Sequence, residues 1–391
     1  MDNTVVLEKI AREVEAYLGE EDVSKARYQL QMQVANYFVG MFLALVVALF
    51  WLPTGFAVDL RNALNANSTW WATWLALLVF LAVDALFSFP LAWYFEFRLE
   101  NRLGTNRQSF VGWLWDQFKQ MALNLLLQSV LFLALYLIFR RWPDYWLPGM
   151  VAIVVVFIFV LHLLSPLFVR MQYKSEPLDS PELTERLRAL FERAGVRFSG
   201  VGVLKFGEKT ARSNAAVIPD GVGNKVVISD TLLEKNDPEV IEVVVAHELG
   251  HKVHKDLLKQ YGAIGTMLIV VLLAAYWVLQ TVGRWDGLGG PTDVATFPLL
   301  SLVIAWGFGL LQVGLNAFSR RLERAADAYS LRLTGNPEAF ERAMLLLAKD
   351  NKSFPLPPSW VETLFYSHPS IAKRIYAARR YAPHRSANGG A

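Results

Sequence analysis

The sequence predicts a mainly α, polytopic membrane protein with about six transmembrane helices and a small α+β domain outside the bilayer. Three observations carry this. Hydrophobic residues make up 54% of the 391 and charged residues only 19%, against about 25% charged in an ordinary soluble chain. Mean hydropathy is +0.30. Six apolar stretches approach or reach the roughly 20 residues that a helix needs to cross a bilayer. The composition excludes disorder, collagen and coiled coil. Cysteine is absent, so disulfides, thiolate metal sites and a cysteine nucleophile are excluded, and any metal must be held by His, Asp or Glu. A net charge of +3 with no basic tract implies no nucleic-acid partner. The implied partner is the lipid bilayer.

The spans fall at residues 37–52, 70–89, 121–139, 147–169, 262–282 and 294–317. They divide the chain into a charged leader (1–36), an N-terminal membrane region of about four helices (37–170), a hydrophilic block (171–261), two more membrane helices (262–318) and a second hydrophilic block (319–391). The first apolar run lacks a small-residue cleavage pattern, so it does not read as a signal peptide. The leader carries Lys9, Arg12, Lys25 and Arg27, and the loop after the second span carries Arg98, Arg102, Arg107 and Lys119. The opposite side has Arg61, Arg140, Arg141 and Arg284. The richer side, which also holds both hydrophilic blocks, is expected in the cytoplasm.

In the first block Ser180 caps a helix with Pro181 in its first turn, and Gly195 ends it. Short strands are expected at 201–206, 214–218 and 225–229, the last two separated by the turn Pro219–Asp220–Gly221. Asp237–Pro238–Glu239 then opens a helix expected to run to Gln260. The second block predicts helices at 318–333, 337–350 and 370–381, with Pro355, Pro357 and Pro358 breaking the chain between the last two.

The helix opened by Asp237 contains His247–Glu248–Leu249–Gly250–His251, an H-E-x-x-H pattern. Residues four apart share a helix face, so both imidazoles can meet one ion. Glu248, beside them, is placed to take a proton from the attacking water. This makes the α+β domain zincin-like and catalytic, with one Zn²⁺ per chain as the expected cofactor. A catalytic zinc needs a third protein ligand. His254 follows on the same stripe, but a donor on the same rigid helix would spread the ligands along its axis. Glu323, in Glu323–Arg324–Ala325–Ala326–Asp327 just beyond the sixth span, is the better candidate. Asp327, one turn on, is placed to accept the ring N–H of a ligating His.

These residues, taken with several others, resemble the type I CAAX prenyl protease family, integral-membrane zinc metallopeptidases of gluzincin type; HtpX-type proteases are more distant relatives. The segments Ser24–Tyr28, Leu99–Ser109 and Ser165–Phe168 followed by Glu176–Leu178 resemble the family's pattern, so the likeness covers nearly the whole chain. The resemblance implies that Asn214 and Ala215 lie on a strand that contacts substrate backbone. It also implies that His368, in His368–Pro369, and Arg374 face the reaction centre, His368 as a catalytic and Arg374 as a substrate-binding residue, either able to stabilise the oxyanion of the tetrahedral intermediate. Without the family, Asn214 reads as a turn-flanking residue and His368 as part of a helix-start turn. Two departures stand out. The eukaryotic members have seven spans rather than six, and Arg324–Ala325–Ala326 replaces the family's aromatic and amide residues.

Asp84, within the second span, suits either the wall of a water-filled chamber, which the resemblance implies, or an interhelical hydrogen bond. The expected function is zinc endopeptidase activity on peptide or membrane-protein substrates, either prenylated C-terminal peptides or membrane proteins more generally. The alternative is a transporter or channel with a structural metal, a site that would not require a Glu after the first His.

Overall fold

The computed structural model describes residues 3–284 and 287–388. The leader is helical. Helix α1 (Asn3–Leu18) meets α2 (Glu20–Trp51) at Gly19, whose φ of 81° breaks the run. Glu20, Glu21 and Asp22 complement the N-terminal dipole of α2. The first span therefore starts well before its apolar stretch. Helix α3 (Phe56–Leu64) turns the chain into α4 (Trp70–Ala92), capped by Thr69. A π-helical turn at Trp93–Arg98 carries α4 into α5 (Leu99–Leu103), which Gly104 stops in the left-handed region. Helices α6 (Phe110–Arg141) and α7 (Trp146–Gln172) complete the N-terminal membrane region.

The first extramembrane block follows as β1 (Ser175–Pro177), α8 (Pro181–Arg193), β2 (Phe198–Leu204), β3 (Ala215–Asp220), β4 (Gly223–Ser229), α9 (Asp230–Lys235) and α10 (Pro238–Val253). Helix α11 (Asp256–Thr281) and the first part of α12 (Phe297–Thr334) return through the membrane; α13 (Pro337–Asp350), α14 (Ser359–Phe365) and α15 (Ile371–Asn388) close the chain. Among the described residues six helices are long and apolar enough to cross a membrane. Their flanks leave large apolar side chains uncovered, with Leu86 70% and Leu310 66% exposed, as expected of helices solvated by lipid.

Three cores result. Trp51, Phe80, Tyr136 and Phe297 anchor the membrane core. Leu187, Phe191, Ile228 and Val245 join α8, the sheet and α10. The third combines Ile10 and Val14 of α1 with Phe340 of α13 and Ile375 of α15. The leader thus packs into the extramembrane domain. The sheet order is β1–β2–β4–β3, with β2 and β4 parallel and the other pairs antiparallel. Strand β3 is therefore an edge strand.

Three expectations change. The helix opened by Asp237 ends at Val253, because Lys255 takes φ 57° and redirects the chain into α11. Pro219 and Asp220 belong to β3, and the hairpin turns on Gly221 and Val222, with Gly221 at φ 56°. The helix expected at 318–333 is the outer half of α12, continuous with the sixth span.

Within the membrane region a cavity of about 930 Å³ lies between α4, α6 and α12, with Asp84, Asn124, Gln128 and Ser301 on its wall. Ser301 Oγ donates to Asp84 Oδ2 at 3.4 Å, so Asp84 both faces the cavity and bonds to a second helix.

Candidate active site

Helix α10 is held from two sides. Val240 and Val243 enter one core, while Ile241, Val245, Ala246 and Leu249 enter another. The remaining face presents His247 and His251 towards Glu323 of α12, and Glu248 lines the cleft beside them. A Cβ at Gly250 would lie 3.0 Å from Ala326 Cα, so only glycine lets the two helices approach this closely. Ser330 Oγ, buried on α12, donates to the carbonyl of Val243 at 2.8 Å and fixes their offset.

This approach brings Glu323 to the histidines. The Nε2 atoms of His247 and His251 are 3.1 Å apart. Glu323 Oε2 lies 3.3 Å from His247 Nε2, and Oε1 lies 3.4 Å from His251 Nε2. Ligands held about 2.0–2.2 Å from a tetrahedral zinc sit about 3.4 Å from one another. The observed separations match that spacing. Glu323 is only 5% exposed, and its Oε2 is a buried oxygen with no hydrogen-bond donor. Two ring nitrogens facing each other beside a buried carboxylate form a donor set that fits a divalent cation.

Each histidine is supported from behind. His247 Nδ1 lies 2.9 Å from Asp327 Oδ1. Arg374 grips Asp327 with Nε and Nη2 at 2.9 and 2.6 Å, and both residues are buried. His251 Nδ1 lies 3.0 Å from Asp256 Oδ2, and Lys259 donates to Asp256 Oδ1 at 2.9 Å. Sequence reasoning missed Asp256. On a continuous helix it would point away from His251; the left-handed Lys255 turns it back. The available signal was an acidic residue opening an apolar span. His254 caps the end of α10 and packs edge-on against Tyr329 at 5.6 Å, outside the group that can hold a metal.

Glu248 and His247 line a cleft of about 360 Å³, together with Gln29 and Gln33 of α2, Asn214, Ala215 and His368. Burial pushes the Glu248 carboxyl above its ordinary range, against the pull of His247 and His251. His368 Nε2 lies 3.3 Å from Glu323 Oε1, and its Nδ1 lies 2.8 Å from Ser367 Oγ. Ser229 N donates to the Asn214 carbonyl at 2.9 Å. Antiparallel alternation then turns the peptide groups of Ala215 away from β4, towards the open edge, where its N–H donates to Asn214 Oδ1 at 2.9 Å. Arg374 reaches the cleft wall, and its hydrogen bonds go to Asp327.

The loop after α5 stitches this strand to the membrane region. Ala211 N donates to the Thr105 carbonyl at 2.8 Å and Arg107 N to that of Lys209 at 2.9 Å. Arg212, two residues before Asn214, binds both Glu100 oxygens at 2.9 and 3.1 Å.

Comparison with known proteins agrees with this geometry. Residues 177–382 match the family model of peptidase family M48, and residues 4–170 match the CAAX prenyl protease N-terminal region, described as five membrane helices. The described part of 4–170 contains four candidate spans, with α1 packed instead on α13 and α15. An uncharacterized metalloprotease, YhfN, of Bacillus subtilis is 29% identical over 312 residues, covering 76% of this chain and 71% of that protein. CAAX prenyl protease 1 of Saccharomyces cerevisiae is 26% identical over 322 residues, covering 76% and 69%. The crystal structure of S. mikatae Ste24p superposes with a TM-score of 0.73 at 19% identity, covering 97% of this chain and 99% of that one, which establishes a common fold. The M48 match spans more than half of the chain and includes His247, His251 and Glu323, so the chain belongs to peptidase family M48, as a multi-pass membrane metalloendopeptidase with a CAAX prenyl protease N-terminal region.

Proposed function

We propose that the chain hydrolyses peptide bonds with one zinc ion held by His247, His251 and Glu323, and with Glu248 as general base. The convergence of the three donors at 3.1–3.4 Å carries this reading. When bound, zinc supplies a Lewis acid that polarises the scissile carbonyl and acidifies the attacking water. Glu248 takes the proton of that water and passes it to the leaving amine; its raised pKa suits both transfers. Asp327 and Asp256 hold the histidine rings in the tautomer that leaves each Nε2 free to ligate. His368, beside Glu323, donates to the oxyanion that develops on the carbonyl. Arg374 acts through Asp327 as a positioning residue. The open edge of β3 at Asn214 and Ala215 accepts an extended substrate as an added strand.

The substrate is a peptide segment at the membrane surface, either a prenylated C-terminal peptide or part of a membrane protein. The leader, the 99–109 loop and the extramembrane domain share the Lys- and Arg-rich side, which supports a cytoplasmic active site. The test incubates purified protein in detergent with a prenylated C-terminal peptide and with an unmodified membrane-protein substrate, and identifies the products by mass spectrometry. Glu248→Gln is expected to lose about 10²–10⁴-fold in rate while keeping its zinc. Full activity in that variant would remove Glu248 from the mechanism.

A further inference from the structure

Behind the metal-holding residues, on the other side of Asp327 and Arg374 from the cleft, a second cavity of about 560 Å³ opens between α12, α14 and α15. Its wall carries six cationic side chains, Arg320, Arg324, Arg332, Lys373, Arg374 and Arg380, against two carboxylates, Asp327 and Glu362. Both carboxylates are engaged, Asp327 by Arg374 at 2.6 Å and Glu362 by Lys373 at 2.9 Å. Among the described residues, none of the other four guanidiniums pairs with a carboxylate. Arg320 is fixed by the carbonyls of Glu362 and Tyr366 at 2.9 and 2.5 Å, and Arg380 lies over the Tyr376 ring at 5.7 Å. The apolar floor comes from Ala328, Leu331 and Ala377.

Four guanidiniums without a carboxylate partner on one concave wall repel one another, and a bound anion removes that repulsion. Guanidinium forks match phosphate oxygens in pairs, which a point charge does not. Arg320 follows the apolar run of α12 by less than one turn, so the cavity begins at the depth of lipid headgroups. We propose that this cavity is a phosphate-binding site, taking a phosphate ester of the kind shared by an acidic phospholipid headgroup and a soluble phosphorylated compound. It shares Arg374 with the clamp on Asp327, so its occupant presses on the support of His247 without entering the cleft.

The test titrates full-length protein in detergent with short-chain phosphatidylglycerol, phosphatidylcholine and inorganic phosphate, read by native mass spectrometry and thermal unfolding. One phosphatidylglycerol or one phosphate per chain is expected, with phosphatidylcholine weaker. The triple variant Arg324→Gln, Arg332→Gln, Arg380→Gln should bind at least tenfold more weakly. A control of equal charge, Lys9→Gln, Arg12→Gln, Arg197→Gln, should change affinity less than twofold. Displacement of the lipid by inorganic phosphate assigns the site to soluble compounds, and resistance to displacement assigns it to lipid. Should the triple variant unfold, Arg324→Gln alone is read the same way, with a threefold loss or more expected. Absence of stoichiometric binding, unchanged affinity in the variants, or equal loss in the control would overturn the proposal.

Discussion

The two histidines of the metal site are supported in opposite ways. Behind His247 stand Asp327 on α12 and Arg374 on α15, 47 residues apart in sequence, with side chains 6% and 9% exposed. Behind His251 stand Asp256 and Lys259, five and eight residues further along, and the Lys259 side chain is 48% exposed. The first arm is a buried ion pair assembled only when three helices dock. The second is a local turn whose cation reaches solvent. The first support therefore couples metal geometry to the packing of the whole domain, while the second can fail alone.

Removing the buried carboxylate should break this contrast most severely. Asp327→Ala leaves Arg374 buried without its partner, and a loss of about 3–5 kcal/mol in unfolding free energy is expected, measured by denaturant titration in detergent. The pH dependence sharpens the same arm. Burial opposes a charged His247, but Asp327 and Glu323 outweigh it and carry the ring up to about 9. A protonated ring cannot ligate, so in chelator-stripped protein zinc affinity should fall as pH drops below about 9, by about tenfold per unit, with release of a proton on binding. Calorimetry in buffers of different ionisation enthalpy reads that proton. Asp256→Asn should lower zinc affinity about tenfold, at the small end of such effects, with little change in unfolding midpoint. Lys259→Gln should change stability by less than about 1 kcal/mol, because its pair with Asp256 is open to water on the lysine side. Equal losses for Asp327→Ala and Asp256→Asn would erase the distinction between the arms.

Much of this site is legible in the sequence because its parts are local. The four-residue spacing of His247 and His251 fixes a shared face, and Glu323 and Asp327 repeat that spacing on a helix leaving the membrane. The membrane spans are legible because bilayer thickness imposes their length. What escaped depends on tertiary contacts. Asp256 reaches His251 only through the left-handed Lys255, which no residue type announces. Gly250 reads as a neutral position within the motif until Ala326 is found 3.0 Å from its absent Cβ. The leader shows amphipathic positions, yet only the fold assigns Ile10 and Val14 to the core of α13 and α15. The edge position of β3 is likewise a property of the sheet order.

The proposed metal site stands or falls with Glu323 joining the two imidazoles around one cation. Zinc content per chain, measured by elemental mass spectrometry on detergent-purified wild type and Glu323→Gln in parallel, tests this most directly. About one zinc per chain in the wild type and a loss of at least tenfold in retained zinc in the variant is the predicted result. Undiminished zinc in Glu323→Gln would contradict the assignment.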